Sequence, residues 1–176
     1  PFRKTWMDVE AGLKLLTDRG APAGRLAVIG AGVGAAVALH DSAQHKDHPK
    51  ALVLMTPGID ELGIACVEQA KAMVPRPALI LAADDDSGKG AKALKDVLAY
   101  EDAELRLVPG KDITGTGMFG KVPAIEASII SWLDTALMIP GMLEVAECKT
   151  VIVDGDLADG EAGAATIVKL PIPGAG

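Results

Sequence analysis

The sequence has little cysteine, little positive charge and no long hydrophobic run, and each of these shortages excludes a class of protein. Its two cysteines, Cys66 and Cys148, lack metal-ligand spacing and are too few to indicate a disulfide framework. With 17 basic residues against 24 acidic ones, the formal net charge is −7, which argues against binding to nucleic acid or to an anionic membrane surface. The apolar runs stay short of the roughly 18 to 20 residues that a membrane helix needs, so no membrane span is expected.

What the sequence does have is an alternation of short apolar runs with helical patterns, in a chain of 176 residues of which 49% are hydrophobic. The apolar runs predict strands near 25–30, 51–56, 77–82 and 104–108. The helical patterns cover 5–19, 33–44, 62–73, 88–100 and 121–137. Because the strand runs are apolar on both faces and helices separate them, the sequence predicts an α/β fold, in which a parallel sheet in sequential strand order is flanked by helices.

The last part of the chain, 141–176, has a different character. It offers two short β runs around an acidic, glycine-rich loop, DGDLADGE. It predicts a β tail, or the start of a second domain, after an α/β domain over 1–140. Ala158 stands where a calcium loop places its third ligand, so no calcium site is expected there. The segment resembles the first strand of secreted β-sandwich domains of the carbohydrate-binding type, with Gly160 in place of their tryptophan, which favours an exported or periplasmic protein.

The stretch RLAVIGAGVGAAVALH, residues 25–40, joins a buried strand to a helix through three glycines. One interpretation is a dinucleotide-binding turn, because Gly30, Gly32 and Ala35 satisfy the G-x-G-x-x-G/A form. That fold also places an acidic residue about 20 positions further on, at the end of the next strand, to hold the ribose. The corresponding segment, LMTP at 54–57, has no carboxylate, so a nucleotide-binding module is the less favoured interpretation.

The other interpretation is a nucleophile elbow, G-x-S-x-G, at a sharp strand-to-helix turn. The segment DVEAGLKLLTDRGAPAGRLAVIGAGVGAAVAL resembles the helix, strand and elbow of α/β-hydrolases of the dienelactone hydrolase and acyl-peptidase kind. The later segments ALVLMTPGID, RPALILAADDD, AELRLVPGKDITGTGMFG and AIEASIISWLDTAL resemble the remaining strands, the catalytic loops and the closing helix of that superfamily, in the same order. The resemblance covers about 5–137 and implies an α/β-hydrolase-like domain that lacks its early strands.

The resemblance implies that the catalytic triad is degenerate. Gly32 occupies the serine position of the elbow, and Thr114 occupies the position of the catalytic histidine. The acid falls in the run 84–86, with Asp85 or Asp86 favoured. Acyl transfer needs a nucleophile and a base, and neither glycine nor threonine supplies them, so no intact catalytic residue is expected.

The backbone of the elbow keeps a possible role without a nucleophile. Amide groups at Gly30, Gly32, Val33 and Gly34 are expected to form a turn that can bind an anion. No cofactor follows from this arrangement.

The histidines of the chain, His40, His45 and His48, lie within nine residues of one another. His45 and His48 could share a helical face with Asp41 as a metal-binding trio. The surrounding DSAQHKDHPK is typical of a solvated helix end, and on that interpretation no metal is expected. Cys66, on an apolar helix face, is expected to be a buried structural thiol.

Taken together, these patterns favour a non-catalytic α/β-hydrolase-like protein that acts as a binding or scaffold subunit of a larger assembly. The strand at 25–30 is expected to have a partner on one side only, and native proteins cover or pair such an edge. We therefore expect a protein partner, or self-association, at that open edge. The alternative is an esterase- or peptidase-like serine hydrolase completed by a missing segment.

Overall fold

The computed structural model of the chain describes residues 4–137. The β element expected over 141–176, and with it the domain boundary near 140, lies outside these residues. The predicted α/β fold is confirmed: a four-stranded parallel sheet in the order β1-β2-β5-β6 is flanked by helices, and a short antiparallel pair, β3-β4, stands apart from it.

The described elements follow the expected order closely. The strands are β1 (Ala27–Ala31), β2 (Ala51–Met55), β3 (Asp60–Glu61), β4 (Ile64–Ala65), β5 (Ala78–Ala83) and β6 (Ala103–Val108). The helices are α1 (Trp6–Asp18), α2 (Val33–Gln44), α3 (Cys66–Ala72), α4 (Lys89–Val97) and α5 (Ile125–Ala136). Within residues 4–137, none of the helices has both the length and the apolar character needed to cross a bilayer.

Strands β2 and β5 lie in the middle of the sheet and are completely buried. Their side chains alternate between two hydrophobic clusters, so that Leu52 and Leu54 enter one cluster while Val53 and Met55 enter the other. The first cluster is closed by α2, α3 and α4, and the second by α5. This arrangement explains why both runs are apolar at every position rather than at alternate ones.

The three crossover helices lie on one face of the sheet because each connects neighbouring parallel strands in the same direction. Helix α2 joins β1 to β2, α3 follows β2 on the way to β5, and α4 joins β5 to β6. Right-handed connections place all three on the same side, which leaves α5 to cover the opposite face.

The helix expected over 62–73 is wrong in its first part. Residues 60–65 form the hairpin β3-β4, and helix α3 begins only at Cys66. The two loop residues, Leu62 and Gly63, both have positive φ, at 52° and 84°, which suits a two-residue hairpin turn. The apolar spacing of this segment therefore arises from a hairpin followed by a short helix.

Arg76 organises the amino end of the sheet. It precedes β5, is only 6% exposed, and donates hydrogen bonds to a set of backbone carbonyls. These acceptors are Val74 (3.2 Å), Pro49 (2.8 Å), Ser42 (3.3 Å), His45 (2.9 Å) and Lys46 (3.5 Å). Several of them belong to the end of α2 and the loop after it, where a cation also interacts favourably with the helix dipole.

We expect Arg76→Met to lower the free energy of unfolding by about 3 kcal/mol, because it leaves several buried carbonyls without a donor. Arg76→Lys keeps the charge but not the forked geometry, and should recover only part of the loss. Arg25→Met, at an exposed arginine, is the control and should change stability by less than about 0.5 kcal/mol. Urea denaturation measures the free energy of unfolding of all three variants. An Arg76→Met protein as stable as the parent would contradict the organising role of Arg76.

Candidate functional site

The glycine-rich turn lies at the carboxyl end of the sheet, between β1 and α2. Gly32 has φ 52° and ψ −118°, a conformation that glycine adopts far more easily than other residues. Its N–H donates to the carbonyl of Met55 at 2.9 Å, and its carbonyl accepts from Ala35 N–H at 3.0 Å. The chain therefore passes from strand to helix in a sharp, strained turn with Gly32 at its apex.

Gly30 and Gly32 are required for different physical reasons. A Cβ atom added to Gly30 would lie 2.6 Å from the carbonyl carbon of Gly34 and 2.7 Å from the nitrogen of Ala35, so only glycine lets β1 and α2 approach this closely. A Cβ added to Gly32 would meet no atom within 4 Å, and it would point into open space. Position 32 is thus restricted by its backbone conformation and not by its surroundings.

The loop that contains Thr114 lies at the same end of the sheet. Gly115 N–H donates to Thr56 Oγ1 at 3.0 Å, just beyond the end of β2. A Cβ added to Gly115 would lie 3.6 Å from the Cβ of Ala31, the residue before Gly32. Thr114 itself is exposed and precedes a 3-10 turn over Gly115–Met118. The turn at Gly32 and the Thr114 loop are therefore neighbours in space.

Asp85 connects the acidic loop after β5 to the loop that leads to Thr114. Its Oδ1 accepts hydrogen bonds from Ser87 N–H at 2.9 Å and from Ser87 Oγ at 2.5 Å, and its Oδ2 accepts from Asp112 N–H at 2.8 Å. The Ser87 hydroxyl, followed by the Asp112 amide, lowers the pKa of the Asp85 carboxyl. Both oxygens of this carboxylate are therefore engaged within the loops.

The acids on either side of Asp85 lie in the same loop. Asp84 is exposed and pairs with Lys92 on α4 at 3.1 Å. Asp86 begins a 3-10 turn over Asp86–Gly88. The Asp85 carboxylate bridges two loops at the carboxyl end of the sheet, whereas that of Asp84 pairs with a helix.

At the carboxyl end of the sheet, the groups that could interact with a ligand are backbone amides. Gly32 has no side chain and Thr114 has no basic group, so this pair supplies neither a nucleophile nor a base. The amides of Val33 and Gly34, in the first turn of α2, have no intrahelical acceptor, and they can stabilise negative charge. Of the four amides expected at this turn, that of Gly32 already donates to Met55 and Gly30 lies in the ladder with β2, so the donors that remain are those of Val33 and Gly34.

Cys66 lies in the hydrophobic core. It is fully buried at the start of α3, and its Sγ is 3.6 Å from the carbonyl of Ile64. Burial, reinforced by the nearby carboxylates of Glu61 and Asp60, raises the pKa of the thiol to about 12. The predicted buried thiol is confirmed, and such a thiol is a poor nucleophile near neutral pH.

The solvated helix end expected for DSAQHKDHPK is correct for Lys46, Asp47 and Lys50, which are exposed, but it is wrong around Asp41. Asp41 and Ser42, in the last turns of α2, are 0% and 1% exposed, and His45 and His48 are half-buried. Helix α1 covers this region, with the Trp6 ring 5.9 Å from the ring of His45. The sequence alone did not reveal this burial because the covering residues lie more than 30 positions away.

Comparison with known proteins adds no family assignment. The chain matches no protein-family model and no curated protein. The likeness to α/β-hydrolases therefore remains a resemblance of sequence segments.

Sequence reasoning missed several residues that hold the site together. Thr56 and Asp112 each form a hydrogen bond that joins two loops at the carboxyl end of the sheet, and Ser87 holds the Asp85 carboxylate within its own loop. The Asp-x-Ser spacing of Asp85 and Ser87 is a local signal for such a turn. Nothing in the sequence marks Thr56 or Asp112, because their partners are distant along the chain.

We expect Gly30→Ala to lower the free energy of unfolding by about 2 kcal/mol or more, because its Cβ would overlap the backbone of α2. The matched control is Gly24→Ala, where a Cβ meets nothing within 4 Å and the backbone has no left-handed conformation. The control should be neutral or slightly stabilising. Thermal and urea unfolding of both variants measure the difference, and equal stabilities would show that the close approach at Gly30 is not required.

Proposed function

We propose that this chain is a non-catalytic α/β-hydrolase-like protein that acts as a binding or scaffold subunit, with the free edge of β1 as its contact surface. The observation that carries the proposal is the position of β1, which pairs with β2 on one side and with no other strand among residues 4–137. Its partner would be another protein or a second copy of this chain.

The hydrogen bonds of β1 identify the backbone groups that face outward. Leu26 accepts from Lys50 N–H at 2.8 Å, and Gly32 donates to the Met55 carbonyl at 2.9 Å. Because the direction of backbone groups alternates along a strand, the even-numbered residues bond to β2. The amides and carbonyls of the odd-numbered residues, Ala27, Ile29 and Ala31, therefore face the open side.

The two edges of the sheet differ in charge, and this difference favours β1 as the contact. At the other edge, β6 carries Glu104 and Arg106, which form an ion pair at 2.6 Å, and charged side chains discourage strand addition. The sequence of β1, AVIGA, has no charged residue. An uncharged edge with unpaired backbone groups is a suitable template for an added strand.

The non-catalytic part of the proposal is supported by the turn at Gly32. Gly32 has no side chain at the position where the resemblance places a nucleophile, although the turn has the strained geometry of a nucleophile elbow. The space around position 32 is open, so an added side chain would not be blocked by neighbours. A binding role retains such a turn for its shape or for its amides.

We expect the purified chain to self-associate, or to bind its partner, through β1, and we expect Ala27→Pro to weaken that association at least about tenfold, or about 1.4 kcal/mol. Proline removes the outward N–H of residue 27 but leaves the bonds to β2 in place. Ala27→Val keeps this N–H and is the matched control. Analytical ultracentrifugation at micromolar concentration measures the association, and a monomeric parent chain that pulls down no partner would contradict the proposed contact.

We expect the unmodified chain to resist labelling by a fluorophosphonate probe and to show no turnover on a broad panel of esters. The double variant Gly32→Ser with Thr114→His restores a nucleophile and a base, and should gain at most weak labelling. Thr114→His alone, which lacks the nucleophile, is the control. Robust turnover by the parent chain, abolished by substituting one of its own serines, would instead support the serine hydrolase alternative.

A further inference from the structure

We propose that Asp41, His45 and His48 form a binding site for a divalent transition-metal ion of the zinc class, at the amino end of the sheet. This end is opposite to the Gly32 turn, because Lys50, just after these residues, bonds to Leu26 at the start of β1. The proposal goes beyond the proposed function and does not depend on it.

The three side chains already lie together. Asp41 Oδ1 and His45 Nδ1 are 3.0 Å apart, and one ligand atom from each of the three residues lies within 4.8 Å of the others. The rings of His45 and His48 are stacked, with centroids 4.7 Å apart. One carboxylate and two imidazoles are a donor set that suits zinc.

Two buried atoms of this cluster have no hydrogen-bond partner. They are Asp41 Oδ2 and His48 Nδ1. Asp41 is 0% exposed, and a buried carboxylate oxygen without a partner is costly, since water no longer solvates it. A cation bound between Asp41 and His48 would satisfy both atoms at once.

Glu10 on α1 is suitably placed to orient His45. Its Oε1 lies 3.7 Å from His45 Nε2, on the opposite side of the ring from Asp41. Metal-binding histidines commonly donate their second N–H to a carboxylate, which fixes the tautomer and the ring orientation. In the structure His45 Nδ1 is a donor, because it lies 3.1 Å from the Asp41 carbonyl oxygen and 3.0 Å from Asp41 Oδ1, both of which accept. A metal at Nδ1 would replace these hydrogen bonds, and the proton of His45 would then sit on Nε2 and face Glu10.

Arg76 holds the segment that carries both histidines. Its guanidinium donates to the carbonyls of His45 and Pro49, which bracket most of the loop. The backbone is therefore fixed before any ion binds, which lowers the cost of assembling the site. The positive charge of Arg76 opposes a second cation nearby, and the carboxylates of Asp41 and Glu10 compensate for it.

Binding requires a small closure of the side chains. Ligand atoms around zinc are about 3.4 Å apart in a tetrahedral site, so the widest separation in the cluster must shorten by rotation of the stacked rings. His48 is half-buried and lies in the loop after α2, outside regular secondary structure. Three protein ligands would leave a fourth position for water, and the ion would link the end of α2 to the following loop.

The test is a titration of the purified chain with Zn²⁺, measured by isothermal titration calorimetry. We expect one ion per chain, a rise in the melting temperature on Zn²⁺ addition, and at least tenfold weaker binding in Asp41→Asn and in His48→Gln. His40→Gln is the matched control, because His40 lies on the same helix but its Nδ1 bonds to Gln69 Oε1 at 2.9 Å, outside the cluster. This control should bind Zn²⁺ like the parent.

A second measurement keeps the result independent of variant stability. Co²⁺ in place of Zn²⁺ should give visible absorption bands typical of imidazole and carboxylate ligands in the parent and in His40→Gln, and these bands should be lost in His48→Gln. Near-ultraviolet circular dichroism establishes that each variant is folded. The absence of stoichiometric Zn²⁺ binding by the parent, or binding that survives His48→Gln and Asp41→Asn unchanged, would overturn the proposal.

Discussion

Burial of both faces of β2 and β5 is the constraint on which the rest of this structure depends. Two central strands that are apolar at every position need a layer of helices on each side. The right-handed connections place α2, α3 and α4 together on one face, so α5 must close the other. Every loop is then forced to one of the two ends of the sheet, and the candidate sites can lie only there.

The two ends of the sheet differ in the kind of chemistry they present. At the carboxyl end, the backbone amides of Asp112 and Gly115 donate to Asp85 and Thr56, so these loops are joined to one another beside the turn at Gly32. At the amino end, Arg76, Asp41 and the histidines bring buried charge and imidazole groups together. The resemblance to α/β-hydrolases draws attention to the first end, whereas the cluster with unsatisfied side chains lies at the second. The contact proposed at the edge of β1 is compatible with a metal site at the amino end, because the two use different groups.

Much of the architecture was predictable because its signals are local. The strands near 51–56 and 77–82 are marked by continuous apolar runs, and the helix over 33–44 by its alanine-rich pattern after three glycines. The prediction of a helix over 62–73 was wrong for its first residues, because Leu62 and Gly63 adopt positive φ and form a hairpin turn. A leucine at such a position is unusual, so the local sequence gave a misleading signal.

By itself, the sequence determined the order of the helices and of the four strands of the main sheet, the sharp glycine turn and the missing side chain at position 32. These properties depend on residues that are close along the chain, and their physical requirements can be read from spacing and residue type. Only the tertiary structure decided that Asp41 is buried and that Arg76 binds the carbonyls after α2. Burial and partner choice depend on which distant segments cover a residue, and for Asp41 that cover comes from packing of elements far apart in the sequence.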